Sequence, residues 1–433
     1  MSLLRRALSL LSAFAVLQGV YAVLDLTSNS TVAVYWGQNS FRGTGDLAQQ
    51  RLGYYCDDPN IDVIILAFLI TVNGPGGAPE MDFASASGGC ETFPGTNLKN
   101  CPEIGTDITQ CQSKNKTILL SLGGATYSEG GFTSTAAAEA GADLIWATFG
   151  PPPAAGASSQ AHRPFGNATL DGYDLDFEAA VSNMGTFATK MRTLADAETA
   201  KTGGTRKFYL TAAPQCPFPD VADRDILNTD ASAAIDAVWV QFYNNYCGVN
   251  AYSQGNVGNF NFETWDKWAL SESKNPHVKV YLGVPANTGA AGTGYLPISS
   301  LAPVIQYSKQ FVSFGGVMMW DVSQAYGNQG FLPGVKAALK GSNPLQSPKQ
   351  EVSDIPVLEE EGESPAVFEG TAAATQTSAP SSVTQDASPA ASTTGGLQQN
   401  QDQEGDPRAD PLKLLHLLPS LLDPDADLPW IEF

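Results

Sequence analysis

The sequence predicts an α/β fold, a (β/α)8 TIM barrel, built as a single domain with a disordered C-terminal tail. Three observations carry this. Eight short apolar runs, suited to parallel strands buried on both faces, recur between residues 30 and 340. Amphipathic helical stretches separate them, and eight such units over about 310 residues match a barrel with insertions. No G-x-G-x-x-G follows the first run, which removes the main support for a doubly wound open sheet.

The strand candidates are Val32–Trp36, Asp62–Leu69, Thr117–Leu122, Gly172–Phe177, Lys207–Ala213, Ala237–Tyr243, His277–Val284 and Gly315–Trp320. Between them, residues 181–198 place Met184, Phe187, Met191 and Leu194 on one helical face. The segment 260–273 aligns Phe262, Trp265 and Trp268 in the same way. Residues 135–149 are Ala-rich with Leu144, Ile145 and Phe149. The stretch 150–162, "GPPPAAGASSQAH", reads as a surface loop.

The flanks differ in character. Residues 1–22 combine Arg5 and Arg6, an apolar run, and small-residue spacing at Val20 and Ala22, the layout of a cleaved export signal. The barrel then occupies 23–342. Residues 343–433 are acidic and rich in Ser, Thr, Ala and Pro; they bury too little apolar surface to offset ordering entropy, so the tail is expected to be disordered. It ends in Asp423, Asp425, Asp427 and Glu432, unlike the hydrophobic end of a lipid-anchor signal.

Export agrees with two further features. The sequons at Asn29, Asn115 and Asn167 are candidate glycosylation sites. The cysteines Cys56, Cys90, Cys101, Cys111, Cys216 and Cys247 form an even set consistent with three bridges, although spacing leaves the pairing open. No C-x-x-C occurs and the three histidines are isolated, so no metal is expected. The net charge is −21, but the stretch from Gln346 onward holds 16 acidic and 3 basic residues and so most of it. There is no basic stripe, which argues against nucleic-acid binding. The expected protein is a monomer without a transmembrane segment, secreted and either extracellular or associated with a cell wall.

Catalytic groups of a barrel sit at the C-terminal ends of its strands. Those ends read "YWGQN", "AFL", "SLGG", "DLDFE", "TAAPQCPFPD", "QFYNN" and "MMW". The fourth is the most informative. Period-two alternation turns Asp174, Asp176 and Glu178 towards the barrel axis and Leu175 and Phe177 towards the helices. Burial and mutual repulsion then raise the cost of ionising all three, so one acid can stay protonated beside a charged neighbour. Glycoside cleavage needs that division. A solvated acidic edge is the plain alternative, and a calcium loop lacks its required Gly and Glu positions. Asp171, three residues before Asp174, reads as a structural residue, a strand-entry or turn position.

"DGYDLDFE" matches the D-x-x-D-x-D-x-E signature of glycoside hydrolase family 18, and "SLGG" its S-x-G-G element. With "YWGQN", "TAAPQCPFPD" and "VWVQFYNN", the chain resembles the plant class III (hevamine-like) chitinases and fungal endochitinases of that family, from about residue 31 to 338. The resemblance implies hydrolysis of β-1,4-N-acetylglucosamine linkages in chitin, with retention and without a cofactor. Glu178 would be acid and base, Asp176 would hold the acetamido N–H, and Asp174 would share a proton with Asp176. Tyr243, assisted by Gln241, would place its hydroxyl on the acetamido carbonyl, and Trp320 would floor the reacting sugar. Gln38, Asn39, Gly123 and Gly124 are further substrate-binding candidates, although each could instead serve a turn or a close backbone approach. The resemblance also implies the pairs Cys56–Cys111, Cys90–Cys101 and Cys216–Cys247. Ile70 departs from the pattern, since the plant enzymes carry a cleft-facing asparagine there. The alternatives are a catalytically weak chitin-binding lectin, or endo-β-N-acetylglucosaminidase or lysozyme-type activity on the same barrel.

Overall fold

A computed structural model describes residues 24–154 and 161–341. The export signal, residues 155–160 of the 150–162 loop and the tail therefore lie outside the described residues. Eight parallel strands close into a barrel: β1 (Thr31–Trp36), β2 (Val63–Thr71), β3 (Thr117–Gly123), β4 (Gly172–Asp176), β5 (Tyr209–Ala212), β6 (Ala237–Gln241), β7 (Lys279–Pro285) and β8 (Phe314–Trp320). Closure comes from β1, which pairs with β2 on one side and β8 on the other. All eight candidates become strands, with bounds shifted by a residue or two, and the predicted TIM barrel is the observed fold. Not foreseen were a short antiparallel strand, Glu80–Met81, on the end of β2 and a two-stranded ladder of Glu91–Thr92 with Lys99–Asn100.

The helices are α1 (Leu52–Tyr55), α2 (Pro102–Ser113), α3 (Thr135–Phe149), α4 (Met184–Lys201), α5 (Arg224–Leu227), α6 (Phe262–Ser271), α7 (Ile298–Ser308), α8 (Val322–Gly327) and α9 (Phe331–Leu339). Ser134 starts α3 by accepting the Ala137 N–H at 3.2 Å, and Asp321 starts α8 by accepting that of Gln324 at 3.0 Å. The apolar stripes follow the predicted periodicity: Met184, Phe187 and Met191 are buried on α4, where Leu194 is only half-buried, and Phe262, Trp265 and Trp268 are buried on α6. Both tryptophans also satisfy their indole N–H, on the carbonyls of Cys216 and Leu227. Burying each aromatic side chain contributes about 2–3 kcal/mol.

Alternation along the strands divides the core in two. Val32, Val34, Ile64, Leu66, Leu120 and Leu175 face outward against the helices. Tyr35, Ile65, Leu119, Trp239, Tyr281 and Met318 fill the barrel interior, and Leu24 plugs its N-terminal face. Three disulfides join Cys56 to Cys111, Cys90 to Cys101 and Cys216 to Cys247, the pairs that the resemblance implied. The last ties the loop after β5 to the loop after β6. Among the described residues, no helix is long and apolar enough to cross a membrane.

Candidate active site

The C-terminal strand ends open on a cleft of about 400 Å3 whose wall includes Asp176, Glu178, Gln241, Tyr243 and Trp320. Larger cavities lie elsewhere on the surface; the one between the N-terminal segment and α4 has acids and aromatics too, but it sits at the opposite end of the strands and sets Arg192 and Lys207 beside Asp25, Asp196 and Asp236.

Asp174 is fully buried at the floor. Its Oδ2 accepts the hydroxyls of Tyr35 at 2.8 Å and Ser121 at 2.7 Å, and its Oδ1 accepts that of Thr211 at 2.6 Å. The indole N–H of Trp239 donates to Thr211 Oγ1 at 2.9 Å, which leaves the threonine proton free to point at Asp174. Burial raises the Asp174 carboxyl above its ordinary value, while Thr211, Ser121 and Tyr35 pull it back. No hydrogen bond joins Asp174 to Asp176 among the described residues; the floor acid is held by hydroxyls from three other strands.

Asp176 occupies the next inward position. Gln241 Nε2 donates to its Oδ1 at 3.0 Å and to the Ala213 carbonyl at 2.9 Å, so the amide orientation is fixed at both contacts. Burial holds the Asp176 carboxyl well above the usual range, and the charges of Glu178, Asp174, Asp223 and Asp220 add to it in that order. Glu178 lies just past the end of β4, exposed to the cleft, and partial burial raises its carboxyl as well. Tyr243 is buried except towards the cleft; burial, then Asp176 and Glu178, push its phenol well above the ordinary value. The site therefore offers carboxyls that release their protons less readily than free ones, beside a phenol that remains a donor.

The aromatic floor is built from three strands. Trp320 stacks on Phe68 with centroids 5.8 Å apart and lies 5.4 Å from the Tyr35 ring. Gln38 lines the cleft but spends its amide on the carbonyls of Ala67 and Asp82, bracing the end of β2. Asn39 has a left-handed φ of 48° and trades hydrogen bonds with Gln49, so it serves a turn and does not line the cleft. Gly123 and Gly124 permit close approach. A Cβ on Gly123 would lie 2.1 Å from the Asp176 carbonyl, and one on Gly124 would meet the Phe68 ring at 2.7 Å. Ile70 packs half-buried against the inner cluster. Asp171 sits at the other end of β4, its Oδ2 accepting the Ile118 N–H at 2.9 Å.

Several contributors carried no assigned role in the sequence reading. Tyr35, Ser121 and Thr211 were legible only as inward polar residues near strand ends. Gln215 and Asn245 form a cleft-wall pair, Asn245 Nδ2 donating to Gln215 Oε1 at 3.0 Å. Asp220 fixes that wall by accepting the N–H groups of Gln215, Ala222 and Asp223. Asp223 is fully buried with neither carboxylate oxygen hydrogen-bonded; burial, Asp220 and Asp174 raise it well above the ordinary value. The spacing of "PFPDVAD" held a signal for Asp220 as a turn acid but none for Asp223.

Comparison with known proteins agrees with this geometry. The family model "Glycosyl hydrolases family 18" matches residues 31–299. A class III chitinase of Arthroderma benhamiae is 47% identical over 345 residues, covering 79% of this chain and 96% of that protein. Endochitinase 33 of Trichoderma harzianum is 44% identical, covering 77% and 98% respectively. Among solved structures, a xylanase and α-amylase inhibitor protein from Scadoxus multiflorus superposes with a TM-score of 0.55 at 31% identity, covering 72% of this chain and 98% of that one. With an acid ladder on β4, a matching family model and relatives aligned over nearly their whole length, the chain belongs to family 18 of the glycosyl hydrolases.

Proposed function

We propose that this protein is a secreted endo-acting chitinase that hydrolyses β-1,4-N-acetylglucosamine linkages with retention at the anomeric carbon. The observation that supports it best is the intact acid series from Asp174 to Glu178, with Glu178 exposed to a cleft that Tyr243 and Trp320 also line. Glu178 donates its proton to the glycosidic oxygen. The acetamido oxygen of the substrate attacks the anomeric carbon, so no carboxylate nucleophile is required. Asp176, positioned by Gln241, takes the acetamido N–H and stabilises the positive oxazolinium ring. Asp174 acts on Asp176 through its charge, held in place by Tyr35, Ser121 and Thr211. The Tyr243 hydroxyl donates to the acetamido carbonyl, and Trp320 supports the distorted sugar. Glu178, now a carboxylate, then takes a proton from the water that opens the ring.

A second reading has a specific basis: one similar structure is named as an inhibitor protein, which favours a binding role on this barrel as the alternative. Products from N-acetylglucosamine oligomers of defined length, resolved by anomer in the first seconds, separate the readings. Internal cleavage with excess β-anomer is expected. Binding without new reducing ends between pH 4 and 7 would sink the enzymatic reading, and terminal release alone would sink the endo assignment. Cleavage of N-glycan cores or peptidoglycan in preference to chitin would transfer the activity to those substrates.

A further inference from the structure

The three sequons are far apart in the chain, yet all fall at the N-terminal ends of strands. Asn29 lies two residues before β1, Asn115 two residues before β3, and Asn167 five residues before β4. All three side chains are exposed, and none makes a hydrogen bond among the described residues. Some other asparagines of turns and bends are tied down: Asn60 holds Asp58, Asn73 holds Glu129, and Asn97 holds Glu80. No sequon occurs in any loop after a strand, where the cleft is built. Six of the eight strands have five to seven residues, which puts the two faces about 17–23 Å apart.

We propose that Asn29, Asn115 and Asn167 all carry N-linked glycans, giving the barrel a sugar-covered N-terminal face and a bare catalytic face. In each transfer the asparagine amide nitrogen bonds to the anomeric carbon of an oligosaccharide carried on a lipid diphosphate. The bond from that carbon to the diphosphate oxygen breaks, a base takes one amide proton, and the lipid diphosphate leaves. The fold also dictates when this happens. The hydroxyl residues that complete the sequons, Thr31, Thr117 and Thr169, are buried in the closed barrel, the first two as opening residues of strands. A transferase that must read those hydroxyls has to act before the barrel closes. Leu24 and the end of α9 lie on the same face, Lys336 of α9 reaching the Ser30 carbonyl and Asp62, so the described chain also begins and ends away from the cleft.

The inference rests on export and is tested on the full chain secreted by a eukaryotic host. Peptide N-glycosidase acting in heavy-oxygen water releases the glycans and converts each glycosylated asparagine to labelled aspartate. Label is expected at all three positions, and each Asn→Gln variant loses only its own. Removing the N-glycans from the folded enzyme should leave kcat/KM on a soluble N-acetylglucosamine hexamer within about twofold. A glycan placed on the opposite face supplies the contrast. Gly289→Ser creates a sequon at Asn287, in the loop after β7 beside cleft residue Ala290. Its glycosylated form should lose about tenfold or more on polymeric chitin, and enzymatic deglycosylation should restore it. Unlabelled asparagine at any of the three positions, in secreted or retained protein, overturns the proposal. So does a native enzyme whose turnover depends on its glycans, or a glycan on Asn287 without effect.

Discussion

Asp62, Asp171 and Asp236 each occupy the residue just before a strand, and each turns its carboxylate onto the N–H of the second residue of the neighbouring strand. Val32 donates to Asp62 at 2.8 Å, Ile118 to Asp171 at 2.9 Å, and Leu210 to Asp236 at 2.9 Å. Each also has a cation: Lys336 beside Asp62, Arg206 at 3.8 Å from Asp171, and Arg192 at 3.0 Å from Asp236. At the C-terminal face the acids are treated differently. Asp174 is held by hydroxyls, Asp176 by an amide, and no lysine or arginine forms an ion pair with either among the described residues. Burial raises carboxyls at both faces, Asp171 and Asp236 included, but Arg206 and Arg192 pull those two back. At the cleft the neighbouring charges of Glu178 and Asp174 push Asp176 further in the same direction, the property that acid catalysis uses.

The contrast can be broken most strongly at Glu178. Glu178→Gln removes the transferable proton with little change in shape, so kcat should fall about 10²–10⁴-fold. Oligosaccharide binding by calorimetry and the thermal midpoint should persist; undiminished turnover would end its role as the acid. A smaller effect is expected from Thr211→Val, which keeps the shape but removes the hydroxyl that Trp239 orients towards Asp174. Losing one hydrogen bond to a charged group costs about 1.5–3 kcal/mol, read as loss of stability together with reduced kcat. Unchanged kcat would mean that the floor network only supports the fold.

The smallest effect sharpens the other face. Burial lifts Asp171 from 3.8 to about 6 despite the Ile118 N–H, Gln112 and Arg206. Between those values the folded chain keeps a proton that the unfolded chain releases. This contribution to stability is therefore complete below pH 4 and is lost as the pH rises through 6, with a slope of at most about 1.4 kcal/mol per pH unit. Asp171→Asn cannot titrate, so its denaturation midpoint should vary less between pH 4 and 6 while kcat is unchanged. An identical pH slope in the variant would show that other groups set it.

Fold and site were legible in the sequence to different depths. The eight strands and the buried apolar faces of α4 and α6 follow from periods of two and 3.6, which a short window of chain displays completely. The alternation of Asp174, Asp176 and Glu178 is equally local, since one strand fixes it. Asn39 shows where local reading stops: "GQN" fits a sugar contact and a turn alike, and only its pairing with Gln49 settles its place. Asp223 shows the same limit for charge, because nothing near it in the chain announces a buried and unpartnered carboxylate.

By itself, then, the sequence determined the strands, the two sides of each strand and the order of acids on β4, because these depend on backbone geometry within a few residues. Tertiary structure alone decided what those acids meet. Tyr35 reaches Asp174 across 139 residues of chain, and Ser121 and Thr211 across 53 and 37. Those distances close only when eight strands pair in register around a common axis. The same closure sorts the acids into a face with cations and a face without them, and sets the three sequons opposite the cleft.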